Sequence, residues 1–263
     1  MNADVRLMQL SDPHLFASAH GRLRGVDTLA SLQNVLAHAR ARKLNIDAVV
    51  CTGDIVNDEP EGYAHFARVM AGMGKPVYCV PGNHDDPVRL RAALAAPPFQ
   101  VGGHVDLGAW RIVLLDSCVP GQAGGHISES ELQTLDAALA GAAGYAMICV
   151  HHHPVEMASR WLDALGIDNA EALFKVLDAH PQVRALSWGH VHQCFDARRH
   201  GVRLLATPST CAQFLPLAEN FAVDARSPAY RRLTLRSDGT VETDVVWVEQ
   251  AMGVLDSASG RTG

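Results

Sequence analysis

Asp12-Pro13-His14, Gly53-Asp54, Gly82-Asn83-His84, His151-His152-His153-Pro154 and Gly189-His190-Val191-His192 each place a metal-type ligand beside a turn residue. Their donors are carboxylate and amide oxygens and imidazole nitrogens, and no segment contains a cysteine. That is more donors than one cation needs. Two adjacent cations sharing a bridging carboxylate use such a set, and paired cations point to phosphoester chemistry. Asp54, with two oxygens, is the best bridging group; Asn83 offers a neutral carbonyl oxygen. Mixed Asp, Asn and His donors suit Mn, Fe, Co or Zn and are too nitrogen-rich for Ca or Mg. Without thiolates, a structural zinc site is not expected.

All five segments follow the C-terminal end of an apolar, strand-like run: Leu7–Ser11, Ala48–Thr52, Val77–Pro81, Ala146–Val150 and Arg184–Trp188. In open α/β sheets the loops at that edge converge on one crevice, where ligands bind. Gly53, Gly82 and Gly189 each precede a ligand, where a residue without Cβ allows a sharp turn and close backbone approach. Read as extended chain, residues i and i+2 point to the same side. On that reading Asp12 and His14 reach one cation, and His190 and His192 enter one site.

Strand-type runs recur at 5–10, 46–51, 77–80, 111–115, 146–150, 184–188, 202–206, 230–235 and 241–248. Amphipathic helical stretches lie at about 26–43, 60–71, 87–96, 129–140 and 168–179. Ser128 and Glu131 form a capping box for the fourth of these, and Pro60 and Pro87 suit a first helical turn. Alternation of strand and helix means βαβ units and parallel pairing. The last three runs follow without helices between them and are expected to be antiparallel. The fold class is α/β: a four-layer α-β-β-α sandwich, two mixed sheets packed face to face with helices outside. Residues 1–250 form a single domain, and the small, polar residues 251–263 read as a flexible C-terminal tail.

Across 263 residues, 48% are hydrophobic and 19% charged, as in globular domains. The net charge of −6 argues against a broad basic surface for nucleic acid. No run of eighteen apolar residues suggests a membrane span, and a cleaved leader would remove Asp12. Cys51, Cys79, Cys118, Cys149, Cys194 and Cys211 lie far apart and read as free thiols in a reducing compartment. The expected location is the cytoplasm.

Taken together, the five blocks resemble the calcineurin-like metallophosphoesterases, whose pattern is D-x-H, G-D, G-N-H, a His before x-Pro, and G-H-x-H. A narrower resemblance is to the bacterial class III 3′,5′-cyclic-AMP phosphodiesterases. It rests on Ser11–Phe16, Gly25–Thr28, Leu115–Ser117, His151–Pro154, Ser159–Asp163 and Leu205–Phe214, and it extends to about Val248. The resemblance implies hydrolysis of 3′,5′-cyclic AMP to 5′-AMP by a metal-bridging hydroxide at a dinuclear centre. One metal would be held by Asp12, His14, Asp54 and His192, the other by Asp54, Asn83, His152 and His190. Fe and Mn are the leading metals, with Zn and Co as alternatives. Asp54 and His84 would act in catalysis, His84 contacting phosphate and protonating the leaving oxygen. His14, Asp54, Asn83, His84 and His192 would line the substrate phosphate. The partner is a small-molecule cyclic nucleotide, with no nucleic acid or membrane; a homodimer stays open.

The triple His admits more than one assignment. The family ligand lies two residues before Pro, which selects His152. His151 is then expected to point into the sheet or its opposite face, and His153 to be a neighbour, with neither a ligand. Asp58 is equally a support for the site or a helix cap. For Asp116 and Ser117 turn chemistry weighs at least as much as function, and His126 reads as a loop histidine, with reach into the cleft as the alternative. His20, His38, His65, His180 and His200 read as surface histidines. Trp161 and Phe195 are candidates for stacking on a base, and Thr207–Phe214 for a pocket wall. Two competing readings are a broader phosphodiesterase acting on glycerophosphodiesters or 2′,3′-cyclic nucleotides, and a non-catalytic scaffold. The scaffold is disfavoured because all ligand positions are intact.

Overall fold

The computed structural model describes residues 3–249; the tail expected at 251–263 lies outside the described residues. Along the chain run β1 (Val5–Leu10), β2 (Arg22–Leu23), β3 (Val26–Asp27), α1 (Thr28–Ala41), β4 (Ala48–Thr52), α2 (Tyr63–Ala71), β5 (Val77–Val80), α3 (Pro87–Ala93), β6 (Phe99–Val101), β7 (Gly103–Leu107) and β8 (Trp110–Leu114). There follow α4 (Glu129–Ala140), β9 (Tyr145–Cys149), α5 (Arg160–Asp163), α6 (Ala170–Ala179), β10 (Val183–Trp188), β11 (Phe195–Arg199), β12 (Val202–Ala206), β13 (Gln213–Phe214), β14 (Val223–Asp224), β15 (Ala229–Leu235) and β16 (Val241–Trp247).

Two six-stranded mixed sheets form, in the orders β16-β15-β1-β4-β5-β6 and β11-β12-β10-β9-β8-β7. In the first, β1, β4, β5 and β6 are parallel and β15 and β16 extend them antiparallel. In the second, β12, β10, β9 and β8 are parallel between antiparallel edges β11 and β7. Strand alternation fills three apolar layers. Ala48, Val50, Met147 and Cys149 pack between the sheets. Val49 and Cys51 face outward with Leu32 and Phe66, and Ala146 and Ile148 face outward with Leu135 and Leu173. Both faces of each sheet are therefore covered, which is why the central strands read as continuous apolar runs. Among the described residues, no helix is long and apolar enough to cross a membrane.

The nine strand runs read from sequence all form strands, and the five helical stretches form helices, that at 129–140 with the expected bounds and the other four shorter. Three short edge strands, β6, β7 and β11, were not expected. They carry polar residues at the rim, such as Asp196 and Arg198, and give no apolar run. Missing β11 also misplaced 202–206: the reversal at His200 and Gly201, with φ of 48° and 87°, pairs β12 antiparallel with β11. On its other side β12 is parallel to β10. The capping box is half present. Ser128 Oγ accepts from the Glu131 amide at 3.1 Å, but the Glu131 carboxylate accepts from the Asp116 amide at 3.2 Å.

Near the C-terminal ends of the strands the layer between the sheets turns polar. Gln9 Nε2 donates to Thr52 Oγ1 at 3.1 Å, Ser187 Oγ donates to Gln9 Oε1 at 2.6 Å, and Thr52 Oγ1 donates to Ser11 Oγ at 2.8 Å. These buried, mutually satisfied groups join β1 and β4 to β10 directly beneath the ligand loops, fixing one register where apolar packing alone would tolerate sliding.

Candidate metal centre

Backbone bonds between loops bring the five segments together. The Asp12 amide donates to Gly53 O at 3.1 Å and the His14 amide to Asp54 O at 2.9 Å. The His190 amide donates to both Asp12 carboxylate oxygens, at 3.0 and 3.2 Å. Asp12, His14, Asp54, His190 and His192 all adopt positive φ, between 47° and 63°. The extended-chain reading of Asp12/His14 and His190/His192 is thus corrected: these are left-handed residues, each costing roughly 1–2 kcal/mol. Such strain persists only where surrounding bonds over-determine it. Backbone approach is correspondingly close. A Cβ on Gly82 would lie 2.2 Å from Asp54 Oδ1, and one on Gly189 1.9 Å from Ser11 Oγ.

The side chains form two buried clusters. Asp12, His14 and His192 present donor atoms within 4.8 Å of one another, as do His151, His152 and His190. His190 and His192 therefore serve different clusters. Asp54 joins them: its Oδ2 lies 3.6 Å from His14 Nε2 and 3.4 Å from His151 Nε2. Its Oδ1 accepts from the His84 amide at 2.9 Å. His14 Nε2 and His192 Nε2 are 3.2 Å apart, and His192 Nε2 is 3.4 Å from Asp12 Oδ1. Asn83, half-buried, holds its Oδ1 3.1 Å from His151 Nε2.

Every expected ligand thus reaches the crevice, but His151 departs from its expected place. It is fully buried at the centre of the site, against Asp54 and Asn83. The two-residue alternation that sent it to the other face does not apply where β9 has already ended at Cys149. His153 does behave as a neighbour, its ring stacked on His190 with centroids 5.6 Å apart.

Ring orientation is set from behind. His192 Nδ1–H donates to Ala212 O at 2.7 Å, and His151 Nδ1–H to Thr52 O at 2.7 Å. His152 Nδ1 is held 2.7 Å from Ser117 Oγ. Each bond leaves Nε2 facing the cluster, the arrangement that outer partners impose on metal-binding imidazoles. Among the described residues, Nε2 of His152 and of His190 is buried without a hydrogen-bond partner. Buried polar atoms are normally satisfied, so orphaned nitrogens beside two carboxylates fit cations. Electrostatics agree. Burial pushes His14 down to about 3 and His152 and His190 well below the usual imidazole range, so all three are neutral and able to donate to a cation. Burial would raise Asp54, yet the His151, His14 and His84 imidazoles hold it well below the usual carboxylate range. Burial likewise opposes protonation of His151, but Asp54 outweighs it and lifts the ring to about 9.

His84 is the most open member, its side chain 35% exposed. Its Nδ1 lies 3.0 Å from both Asp58 oxygens, so Asp58 supports the site and is not a helix cap. Burial works against protonation of His84, but Asp54 and Asp58 raise it. Sequence reasoning left Ser117 undecided and missed Asp85. Asp85 accepts from the amides of Gly82, Ile55 and Val56 and from Tyr63 Oη, binding the Asp54 and Asn83 loops together. Burial and Asp54 push it up to about 7. Its place directly after Gly82-Asn83-His84 was the only available signal. Phe195 packs on Trp188 in the outer core, away from the site. Trp161 joins Phe214 and Phe221, and Phe214 stacks on His192 with centroids 4.0 Å apart. His126 pairs with Asp168 at 2.6 Å, outside both clusters.

Comparison with known proteins agrees with this geometry. Residues 5–194 match the calcineurin-like phosphoesterase family. The 3′,5′-cyclic adenosine monophosphate phosphodiesterase CpdA of Pseudomonas aeruginosa is 40% identical over 97% of this chain and 94% of its own. The protein of that name from Escherichia coli K12 is 41% identical over 98% and 94%. Among solved structures, a dimetal phosphatase from Danio rerio covers 94% of this chain and 100% of its own, with a TM-score of 0.64 at 17% identity.

Proposed function

The chain belongs to the calcineurin-like phosphoesterase family, and we propose that it hydrolyses 3′,5′-cyclic AMP to 5′-AMP at a dinuclear metal centre. The observation that carries this is the meeting of two imidazole clusters at one carboxylate, Asp54. The substrate is supported by relatives of that name that are 40% and 41% identical over nearly the full chain.

Asp12, His14, Asp54 and His192 would hold one cation. Asp54, Asn83, His152 and His190 would hold the other, with His151 bracing Asp54 and Asn83. Iron or manganese suits this nitrogen-rich set, with zinc or cobalt as alternatives. When bound, the cations supply Lewis acidity toward the phosphate oxygens and lower the pKa of water. His14, Asp54, Asn83, His84 and His192 line the place of the phosphate. His84 contacts it and protonates the departing O3′. With Nδ1–H donated to Asp58, Nε2–H is the proton that can leave, and partial exposure lets it meet a bound substrate. The six cysteines are free thiols, four of them buried, in keeping with action on a cytoplasmic nucleotide.

The test is kcat/KM for 3′,5′-cyclic AMP, 2′,3′-cyclic AMP and glycerophosphodiesters, measured on apo protein reconstituted with Mn, Fe or Zn. The 3′,5′-cyclic substrate should give the highest value. A higher value on either alternative makes this a broader phosphodiesterase.

A further inference from the structure

Arg231 of β15 is 1% exposed, and among the described residues it has no ion-pair partner. Asp196, on β11, is engaged through both oxygens by Arg203, at 2.9 and 2.6 Å. The Arg231 guanidinium instead spends its donors on neutral acceptors. Nε donates to Thr207 Oγ1 at 3.3 Å and Nη1 to Thr243 Oγ1 at 3.2 Å. Nη2 donates to Phe195 O at 3.1 Å and Ala206 O at 2.6 Å. A buried charge without a counter-charge is costly, and an apolar side chain of similar volume often packs there at least as stably. What the guanidinium holds is therefore informative.

It holds the two chain segments that enclose His192. Phe195 is reached directly after His192-Gln193-Cys194, and its carbonyl fixes where that loop ends. Ala206 and Thr207 begin the segment that returns over the same ring. Within that segment Ala212 O accepts from His192 Nδ1 at 2.7 Å, the Phe214 amide donates to His192 O at 3.3 Å, and the Phe214 ring stacks on the imidazole. Ser209 Oγ also donates to Asp12 O at 2.7 Å, and the Thr210 amide to Ser11 O at 3.0 Å. His192 and Asp12 both sit at positive φ and need such restraint.

We propose that Arg231 is a positioning residue for the cation site of Asp12, His14, Asp54 and His192, acting by clamping the loop after His192 to the segment 206–214 that orients its ring. The proposal rests on the two-metal reading above. In the second cluster, His151 and His152 have their own supports in Thr52 and Ser117; only its third member, His190, shares the loop of His192, with its amide on Asp12.

The experiment is titration of apo protein with Mn²⁺ by calorimetry, with bound metal counted by elemental analysis, for wild type, Arg231→Met and Arg231→Lys. Wild type should bind two ions; fewer than two sinks the two-metal reading itself. Given two, Arg231→Met should weaken one site about 10- to 100-fold, the range for losing an outer partner of a ligand, and the other markedly less. Equal weakening of both sites, or none, overturns the proposal. If the Met variant fails to fold, Arg231→Lys carries the test: selective weakening of one site supports the proposal, and two wild-type affinities overturn it.

Discussion

His84 and Asp58 form a dyad in which Nδ1 lies 3.0 Å from both carboxylate oxygens, at the one imidazole of the site that is substantially exposed. The carboxylate fixes the tautomer and turns Nε2 toward the crevice. Asp58→Asn keeps the shape but removes the charge that favours protonation. It should lower kcat by about 10- to 100-fold, as for loss of an outer partner, and His84→Ala by about 100-fold or more, the usual range for general acid catalysis. Both should retain two metals per chain. Loss of metal in His84→Ala would mean that its role is ligation.

Ser117→Ala removes the oxygen 2.7 Å from His152 Nδ1 without touching any ligand. The ring is then free to rotate and its Nε2 loses definition. Metal affinity at that site should fall about 10- to 100-fold, read by Mn²⁺ titration. An unchanged affinity would show that the ring is held by packing alone.

His151 separates two descriptions of the same cluster. Its Nε2 is 3.4 Å from Asp54 Oδ2 and 3.1 Å from Asn83 Oδ1. If it supplies a donor, His151→Ala lowers Mn²⁺ affinity as severely as His152→Ala. If it only props Asp54, His152→Ala alone empties the site while His151→Ala keeps two ions with a lower kcat. We expect the second outcome, because Thr52 O takes Nδ1–H and Asp54 favours a proton on Nε2, which faces Asp54 and Asn83.

The difference between His151 and the donors also marks where sequence reading stopped. Asp12, Asp54, Asn83, His190 and His192 were legible because each follows an apolar strand and sits beside a turn residue, a pattern set by local chain geometry. The four layers were legible for the same reason: runs such as Ala48–Thr52, buried on both faces, demand cover on both sides. What failed depended on loop conformation or on distant chain. Alternation could not place His151, because a strand period does not extend into a loop. The Ser117–His152, Ala212–His192 and Asp85–Gly82 bonds join residues whose pairing leaves no periodic trace, apart from the last, which lies three residues apart. Arg231 gave no signal, since one arginine in a strand pattern reads as exposed.

Metal removal should be visible as lost stability. The apo site keeps orphaned imidazole nitrogens and two carboxylates buried together, and cations bind the folded state in preference to the unfolded chain. At a metal concentration 1,000 times Kd, one site adds about 4 kcal/mol. Chelation should therefore lower Tm by several degrees, and Mn²⁺ should restore it in a concentration-dependent way. A Tm indifferent to chelator and metal would be incompatible with tight cation binding here.

Gly189 tests how closely the site is built. A Cβ there would stand 1.9 Å from Ser11 Oγ, 2.7 Å from Thr52 O and 2.8 Å from Asp12 Oδ2. Ser11 Oγ could rotate, but Thr52 O is backbone in the middle of the first sheet, and Asp12 is pinned by the His190 amide. Something in the join between β4 and β10 must therefore move. Gly189→Ala should destabilise the fold by about 1–3 kcal/mol, as for overpacked cores, measured by urea unfolding. It should also weaken the cation site proposed at Asp12, because the displaced carboxylate is one of the ligands proposed for it. A variant with wild-type stability and metal affinity would mean that the loops after β1 and β10 approach less closely than the structure shows.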